Sequence, residues 1–154
     1  YFPGHENTGF FNAKYIPRKG DLNIPDPNLT NPNNYRSIRY ADVLLLAAEA
    51  LVKSNGSETD AISYLNQVRS RAFIGAIDTN HLYKPSEGDL LEAIYKERRL
   101  ELMGEGHRFF DLVRTNKAEG VIPGFSKANG HELFPIPLIE IQLAGSRWEQ
   151  NPGY

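Results

Sequence analysis

Arg39-Tyr40-Ala41-Asp42-Val43-Leu44-Leu45-Leu46-Ala47-Ala48-Glu49-Ala50-Leu51 is the stretch whose reading decides the fold. Around it Ile38, Ala41, Leu44, Leu45, Ala48, Leu51 and Val52 recur at the spacing of a single helical stripe. Asn55-Gly56 predicts a left-handed cap that ends this helix. Ser57-Glu58-Thr59-Asp60 then reads as a capping-box-like start, followed by a second stripe of Ala61, Ile62, Leu65, Val68 and Ala72. Two antiparallel helices joined by a short Gly-containing turn account for both stripes.

The same signal returns downstream. Ser86-Glu87-Gly88-Asp89 predicts another helix start, and Leu91, Ile94, Tyr95 and Leu102 carry its apolar face. Gly104 and Gly106 interrupt it, and Phe109, Phe110, Leu112 and Val113 continue in a further short helix. Helix pairs of about 30 to 40 residues predict a mainly α fold of tetratricopeptide-like pairs, an α-α superhelix. The usual Trp, Leu-Gly and Tyr markers of that repeat are missing, so the likeness is one of architecture. Residues 1–35 read as an irregular segment, with seven Asn and Pro residues between Pro25 and Asn34, and residues 36–154 as one helical region. Within the first segment, Gly9 to Ile16 reads as one short extended piece. Beyond Lys117 the chain is loop-like again, and the prolines hold Leu133-Phe134-Pro135-Ile136-Pro137 extended.

Composition narrows the function classes. With 17 basic and 19 acidic residues among 154, the net charge of -2 leaves no basic excess to neutralise phosphates, which argues against nucleic-acid binding. The absence of cysteine excludes disulfides, cysteine-based zinc sites and a cysteine nucleophile. The longest apolar run, Val43 to Ala48, is far short of the roughly 20 residues that span a bilayer. Tyr1-Phe2-Pro3-Gly4-His5 has no basic n-region, apolar h-region or initiator methionine, so the chain is expected to be a piece of a longer parent.

The charged block from Glu97 to Asp111 is the place to look for chemistry. Glu97, Glu101 and Glu105 are four apart and would stack on one helical face if the helix survived Gly104. Asp42 and Glu49 share a face of the first helix. One reading joins Asp42, Glu49, Glu97, Arg98, Glu101, Glu105, Arg108 and Asp111 into a buried ion-pair network that ties the helices together, with Arg114 nearby. The other makes Glu101 and Glu105, with His107, the acid/base pair of a glycoside hydrolase. The first is preferred, because structural ion pairs also gather carboxylates. His107 and Asp111 could share a metal, but a catalytic zinc needs a third ligand, and no His-Glu-x-x-His motif exists. No metal and no cofactor is therefore expected. A helical-repeat module that binds another protein is a third reading.

Aromatic residues are the remaining resource. Tyr1, Phe2, Phe10, Phe11 and Tyr15 lie in the irregular segment, and the single tryptophan is Trp148. Exposed rings stack on the C–H faces of sugars while polar neighbours take the hydroxyls, so Phe10, Phe11, Tyr15 and Trp148 are candidate ligand contacts. The alternative is that they pack their loops onto the helices.

Several segments taken together resemble one family. Arg39 to Leu51 is similar to its Arg-Tyr-Ala-Asp…Ala-Glu-Ala helix, and Tyr64-Leu65-Asn66-Gln67-Val68-Arg69-Ser70-Arg71-Ala72 to its Leu-Asn-x-Val-Arg-x-Arg helix. Glu97-Arg98-Arg99-Leu100-Glu101-Leu102 and Glu105-Gly106-His107-Arg108-Phe109-Phe110-Asp111-Leu112-Val113-Arg114 resemble its charged block. Leu133 to Pro137, Glu140-Ile141 and Gln150-Asn151-Pro152-Gly153-Tyr154 resemble its closing segments. This is the SusD/RagB family, resembled in the right order from about residue 35 to residue 154. The resemblance implies a non-enzymatic protein of the outer-membrane surface, held by a lipid anchor outside this chain. It also implies capture of glycans or sometimes peptides as partner of a TonB-dependent, SusC-like transporter. Family members are several times longer, with much of the ligand surface in the part not represented, so no family binding residue carries over to a position here.

Overall fold

The structure is a computed structural model that describes residues 12–16, 34–73, 79–145 and 147–154. It is mainly helical, with no strand among the described residues, and forms two compact units, Tyr1–Gly106 and His107–Tyr154.

In the first unit, α1 (Tyr40–Lys53) and α2 (Glu58–Ala72) form an antiparallel pair of the tetratricopeptide-like kind, and α3 (Leu90–Glu101) packs on both. The backbone of Arg39 is still extended, at φ -123° and ψ 154°, so α1 begins at Tyr40. Ile38, expected on the apolar stripe, therefore lies outside the helix and is exposed. Leu44, Leu45 and Ala48 of α1 are buried with Ala61, Leu65 and Val68 of α2 and Leu90, Ala93 and Ile94 of α3. Ala72, read as the last member of the α2 stripe, is exposed at the helix end.

The caps show which residues set the helix boundaries. Asn55, not Gly56, takes the left-handed conformation, at φ 54°. The Asn55 N–H donates to the Val52 carbonyl (3.3 Å) and the Gly56 N–H to the Leu51 carbonyl (2.8 Å), which satisfies two orphan carbonyls of α1. Ser57 Oγ accepts from the Asp60 N–H (3.2 Å) and starts α2. The next start falls three residues later than Ser86 predicts. Pro85, with its preset φ, begins a 3-10 turn over Pro85–Glu87, and the Asp89 carboxylate caps α3 by accepting from the Glu92 N–H (2.9 Å). The buried face of α3 shifts accordingly to Leu90, Ala93 and Ile94, with Leu91 and Tyr95 half-buried. Ala13–Tyr15 is also a 3-10 turn where an extended segment was expected, because Asn12 Oδ1 accepts from the Lys14 N–H (3.0 Å). Gly9, Phe10 and Phe11 lie outside the described residues.

The second unit holds α4 (His107–Arg114), α5 (Ala118–Val121) and α6 (Leu138–Leu143). Asn116, at φ 56°, closes α4 in the same way as Asn55 closes α1, with the Lys117 N–H on the Leu112 carbonyl at 2.9 Å. The extended Leu133–Pro137 segment is fastened by the chain end. Gln150 accepts from the Ile136 N–H (2.7 Å) and donates to the Ile136 carbonyl (2.8 Å). Asn151 donates to the Phe134 carbonyl (2.7 Å) and the Tyr154 hydroxyl to the Leu133 carbonyl (3.0 Å). Among the described residues no helix is long and apolar enough to cross a membrane.

Candidate functional site

Arg39, at the mouth of α1, organises the largest group of charges in the first unit. Its Nε donates to Glu105 Oε2 at 2.7 Å and its Nη2 to Glu105 Oε1 at 2.9 Å, a two-pronged pairing that fits the planar guanidinium fork. Its Nη1 lies 2.8 Å from Glu101 Oε1, and its Nη2 reaches the Glu101 carbonyl at 3.1 Å. Lys14 supplies a second cation to Glu105 Oε1, and Arg71 pairs with Glu101 Oε2. All four carboxylate oxygens are thus engaged by cations. Burial alone would raise the Glu105 carboxyl, but hydrogen bonds and charge from Arg39 and Lys14 outweigh it and hold it below its ordinary value. The same contacts hold the Arg39 guanidinium above its ordinary value, although burial opposes them.

Two further arginines anchor α3. Arg98 Nη1 donates to Asp42 Oδ1 of α1 at 2.7 Å, with both groups buried. Arg69 of α2 donates to Glu97 Oε2 at 3.0 Å and bridges to Glu87 at 3.1 Å. Glu49, buried on α1, meets Lys53 Nζ at 2.9 Å and accepts from the Tyr95 hydroxyl at 3.3 Å. Within α4, Asp111 receives Arg114 Nη2 at 2.7 Å.

Arg108 departs from its expected place. It is exposed, and among the described residues it makes no ion pair. The two glycines break the assumed spacing: Gly104 at φ 78° and Gly106 at φ 83° end the helical run, so one helical periodicity does not extend from Glu97 to Arg108. Glu105 reaches Arg39 from a turn instead of from a fourth helical position. Lys14, Arg39, Arg69, Arg71 and Glu87 were not among the residues singled out. The available signal was their place in the quoted segments: Arg39 opens the first, and Arg69 and Arg71 sit two apart in the second.

Of the ring candidates, Tyr15 is half-buried and stacks on the exposed Tyr35, with centroids 6.3 Å apart and planes 21° from parallel. The Tyr35 hydroxyl donates to the Glu105 carbonyl at 3.4 Å, which ties the pair to the Arg39 cluster. Trp148, in the second unit, is exposed beside Leu143 and Arg147. Phe10 and Phe11 lie outside the described residues. In the second unit Phe109 packs on Phe134 (5.1 Å), Phe110 (5.6 Å) and Phe125 (6.3 Å). Nδ1 of His131 accepts from the Ser126 N–H (3.1 Å). Among the described residues no group of three His, Cys, Asp or Glu comes together as a metal site would require, and His107 with Asp111 gains no third ligand.

A model of the SusD family matches residues 3–154. The chain belongs to the SusD family. One SusD-like protein of Formosa agariphila is 37% identical, over 99% of this chain and 35% of its own length. Another from the same organism is 36% identical, over 79% of this chain and 26% of its own length. The crystal structure of a SusD homologue from Bacteroides thetaiotaomicron superposes with a TM-score of 0.58 at 38% identity, covering 73% of this chain and 24% of that one. The chain thus spans about a quarter to a third of the length of these relatives. The Arg39, Arg69 and Arg98 contacts describe how this portion of a SusD-family protein is held together.

Proposed function

We propose that the chain is part of a protein that binds nutrients, glycans foremost, at the cell surface without cleaving them. In this reading it serves a TonB-dependent, SusC-like outer-membrane transporter, and the lipid anchor lies outside these residues. The observation that carries the non-enzymatic reading is the engagement of all four oxygens of Glu101 and Glu105 by Arg39, Lys14 and Arg71. A glycosidase acid must hold a proton near neutral pH, and a carboxyl held below its ordinary value does not. Membership of the SusD family supports the binding role and the location.

The stacked Tyr15–Tyr35 pair is the ring surface that fits a sugar face. Titration calorimetry and a reducing-sugar assay across an oligosaccharide panel test both halves of the proposal. Binding should weaken roughly 3- to 10-fold in Tyr35→Ala, with no reducing ends released. Glu101→Gln and Glu105→Gln should lower thermal stability and leave hydrolysis at zero. Hydrolysis that disappears in these variants overturns the non-enzymatic reading, and unchanged binding in Tyr35→Ala removes the tyrosine pair from the ligand site.

A further inference from the structure

The solvent face of α2 is polar but uncharged along its middle. Ser63, Gln67 and Ser70 lie four and three residues apart on one exposed stripe. A surface helix ordinarily shows charged side chains there. Among the described residues no hydrogen bond occupies the Ser63 and Ser70 hydroxyls or the Gln67 amide. These side chains line a groove between α1 and α2 of about 990 Å³, the size of a small-ligand site. Leu44, Val68 and Leu82 supply its apolar lining, and Tyr40 of α1, 72% exposed, supplies a ring.

The sign of the groove is set at Arg71. Among the described residues no carboxylate lines it. Lys14, Arg39 and Arg71 together serve Glu101 and Glu105, so three positive charges meet two negative ones and one is left over. That surplus lies nearest to solvent at Arg71, whose side chain is 54% exposed, against 32% for Lys14 and 21% for Arg39. Its Nη2 pairs with Glu101, and among the described residues its other nitrogens make no contact. The N-terminus of α1 and the C-terminus of α2 meet at this end with opposing dipoles, so the side chains decide the charge.

We infer that the groove between α1 and α2 binds an acidic oligosaccharide. Arg71 pairs with the carboxylate or sulfate of one ring, and Tyr40 covers a C–H face. Ser63, Gln67 and Ser70, each both donor and acceptor, exchange hydrogen bonds with the hydroxyls. An acidic peptide offers Arg71 the same anion but lacks the array of hydroxyls that this stripe serves. The inference rests on the nutrient-binding reading above and narrows it to anionic sugars.

Titration calorimetry on the full product of the reading frame compares trigalacturonate, its methyl ester, a sulfated galactose trisaccharide and triglutamate. At least one of the two anionic sugars should bind ~10-fold or more tightly than the uncharged ester, the gain from one charge-assisted pair. Arg71→Gln should abolish that preference. Gln67→Glu, which adds a negative charge in the groove away from the Glu101 contact, should lower it. Circular dichroism checks that both variants fold, and Gln67→Glu alone decides the matter where Arg71→Gln does not. Tyr35→Ala, on the other ring surface, should leave the ratio unchanged. Equal affinity for acids and ester, or a preference that survives the folded variants, overturns the inference, and the nutrient-binding reading stands if the ester still binds. Triglutamate bound as tightly as the acidic sugars also overturns it, by assigning the groove to peptides. Binding of no sugar at all ends both readings.

Discussion

Arg39→Met tests the central cluster. The substitution keeps most of the side-chain stem and removes a guanidinium that makes four contacts, at 2.7 and 2.9 Å to the Glu105 carboxylate, 2.8 Å to that of Glu101 and 3.1 Å to the Glu101 carbonyl. The Glu105 side chain is only 3% exposed, so its charge depends on protein groups for solvation. Removing one partner of a buried pair costs about 3 to 5 kcal/mol. Two features reduce that figure here. Lys14 and Arg71 remain on the same carboxylates, and the Arg39 side chain is itself 21% exposed, so water screens part of the interaction. The expected loss is therefore about 2 to 3 kcal/mol by urea denaturation followed by circular dichroism at a constant slope. Arg39→Lys keeps the charge and loses the fork, so it should fall between the two. Arg36→Met, on an exposed neighbour, should leave the midpoint unchanged. Equal midpoints for Arg39→Met and the parent chain would refute the idea that this cluster holds the N-terminal turn and α1 to the end of α3.

Acid should act through the same groups. Glu105 and Glu87 are both held below their ordinary value of 4.5, the buried Glu105 by Arg39 and Lys14 against its burial, and the more exposed Glu87 by Arg69 and the Lys84 N–H against partial desolvation. Depressed carboxyls give their full stabilisation above the unfolded-state value and lose it as pH falls through the folded one. Stability measured from pH 7 to 3 should fall below about pH 4.5, and Arg39→Met should flatten that limb; a parallel curve would contradict the assignment. In the core, Leu65→Ala should cost about 2 to 4 kcal/mol, since Leu65 is fully buried between α1 and α2, and a loss near zero in denaturant would dissolve the paired-helix packing. Arg108→Met, by contrast, should leave thermal unfolding unchanged because Arg108 is exposed and makes no ion pair among the described residues.

Local signals were legible in the sequence where the physics is local. Ser57 reads as a cap because Ser57-Glu58-Thr59-Asp60 is a capping-box-like start, in which a serine oxygen accepts from the amide three residues on, and the structure has that bond. The alternation of Leu44, Leu45 and Ala48 with Ala61, Leu65 and Val68 places the core on the faces that periodicity names. Boundaries failed where two local rules compete. Ser86 lost the cap to Asp89 because Pro85 drew the preceding residues into a tighter turn, and Ile38 fell outside because the chain is still extended at Arg39. The partners of the glutamates were out of reach for another reason. Arg39 and Glu105 are 66 positions apart, and Arg69 and Glu97 28 apart, so no spacing rule links them. The cations of Glu101 and Glu105 are Lys14, Arg39 and Arg71, and the two left-handed glycines break the helical spacing on which the sequence neighbours Arg108 and Arg114 suggest themselves.

The turn after α1 also acts as a chemical clock. Asn-Gly is the dipeptide most open to deamidation, because the glycine nitrogen attacks the asparagine side-chain carbonyl to close a succinimide ring. At Asn55-Gly56 that nitrogen holds its proton against the Leu51 carbonyl at 2.8 Å, and Asn55 is fixed at φ 54°. While the last turn of α1 is wound, the nucleophile is occupied and its torsions are locked. Ageing at this dipeptide should therefore be slowed by the wound state, and the isoaspartate accumulated at position 55 in a stored sample should report the fraction of time the end of α1 spends unwound.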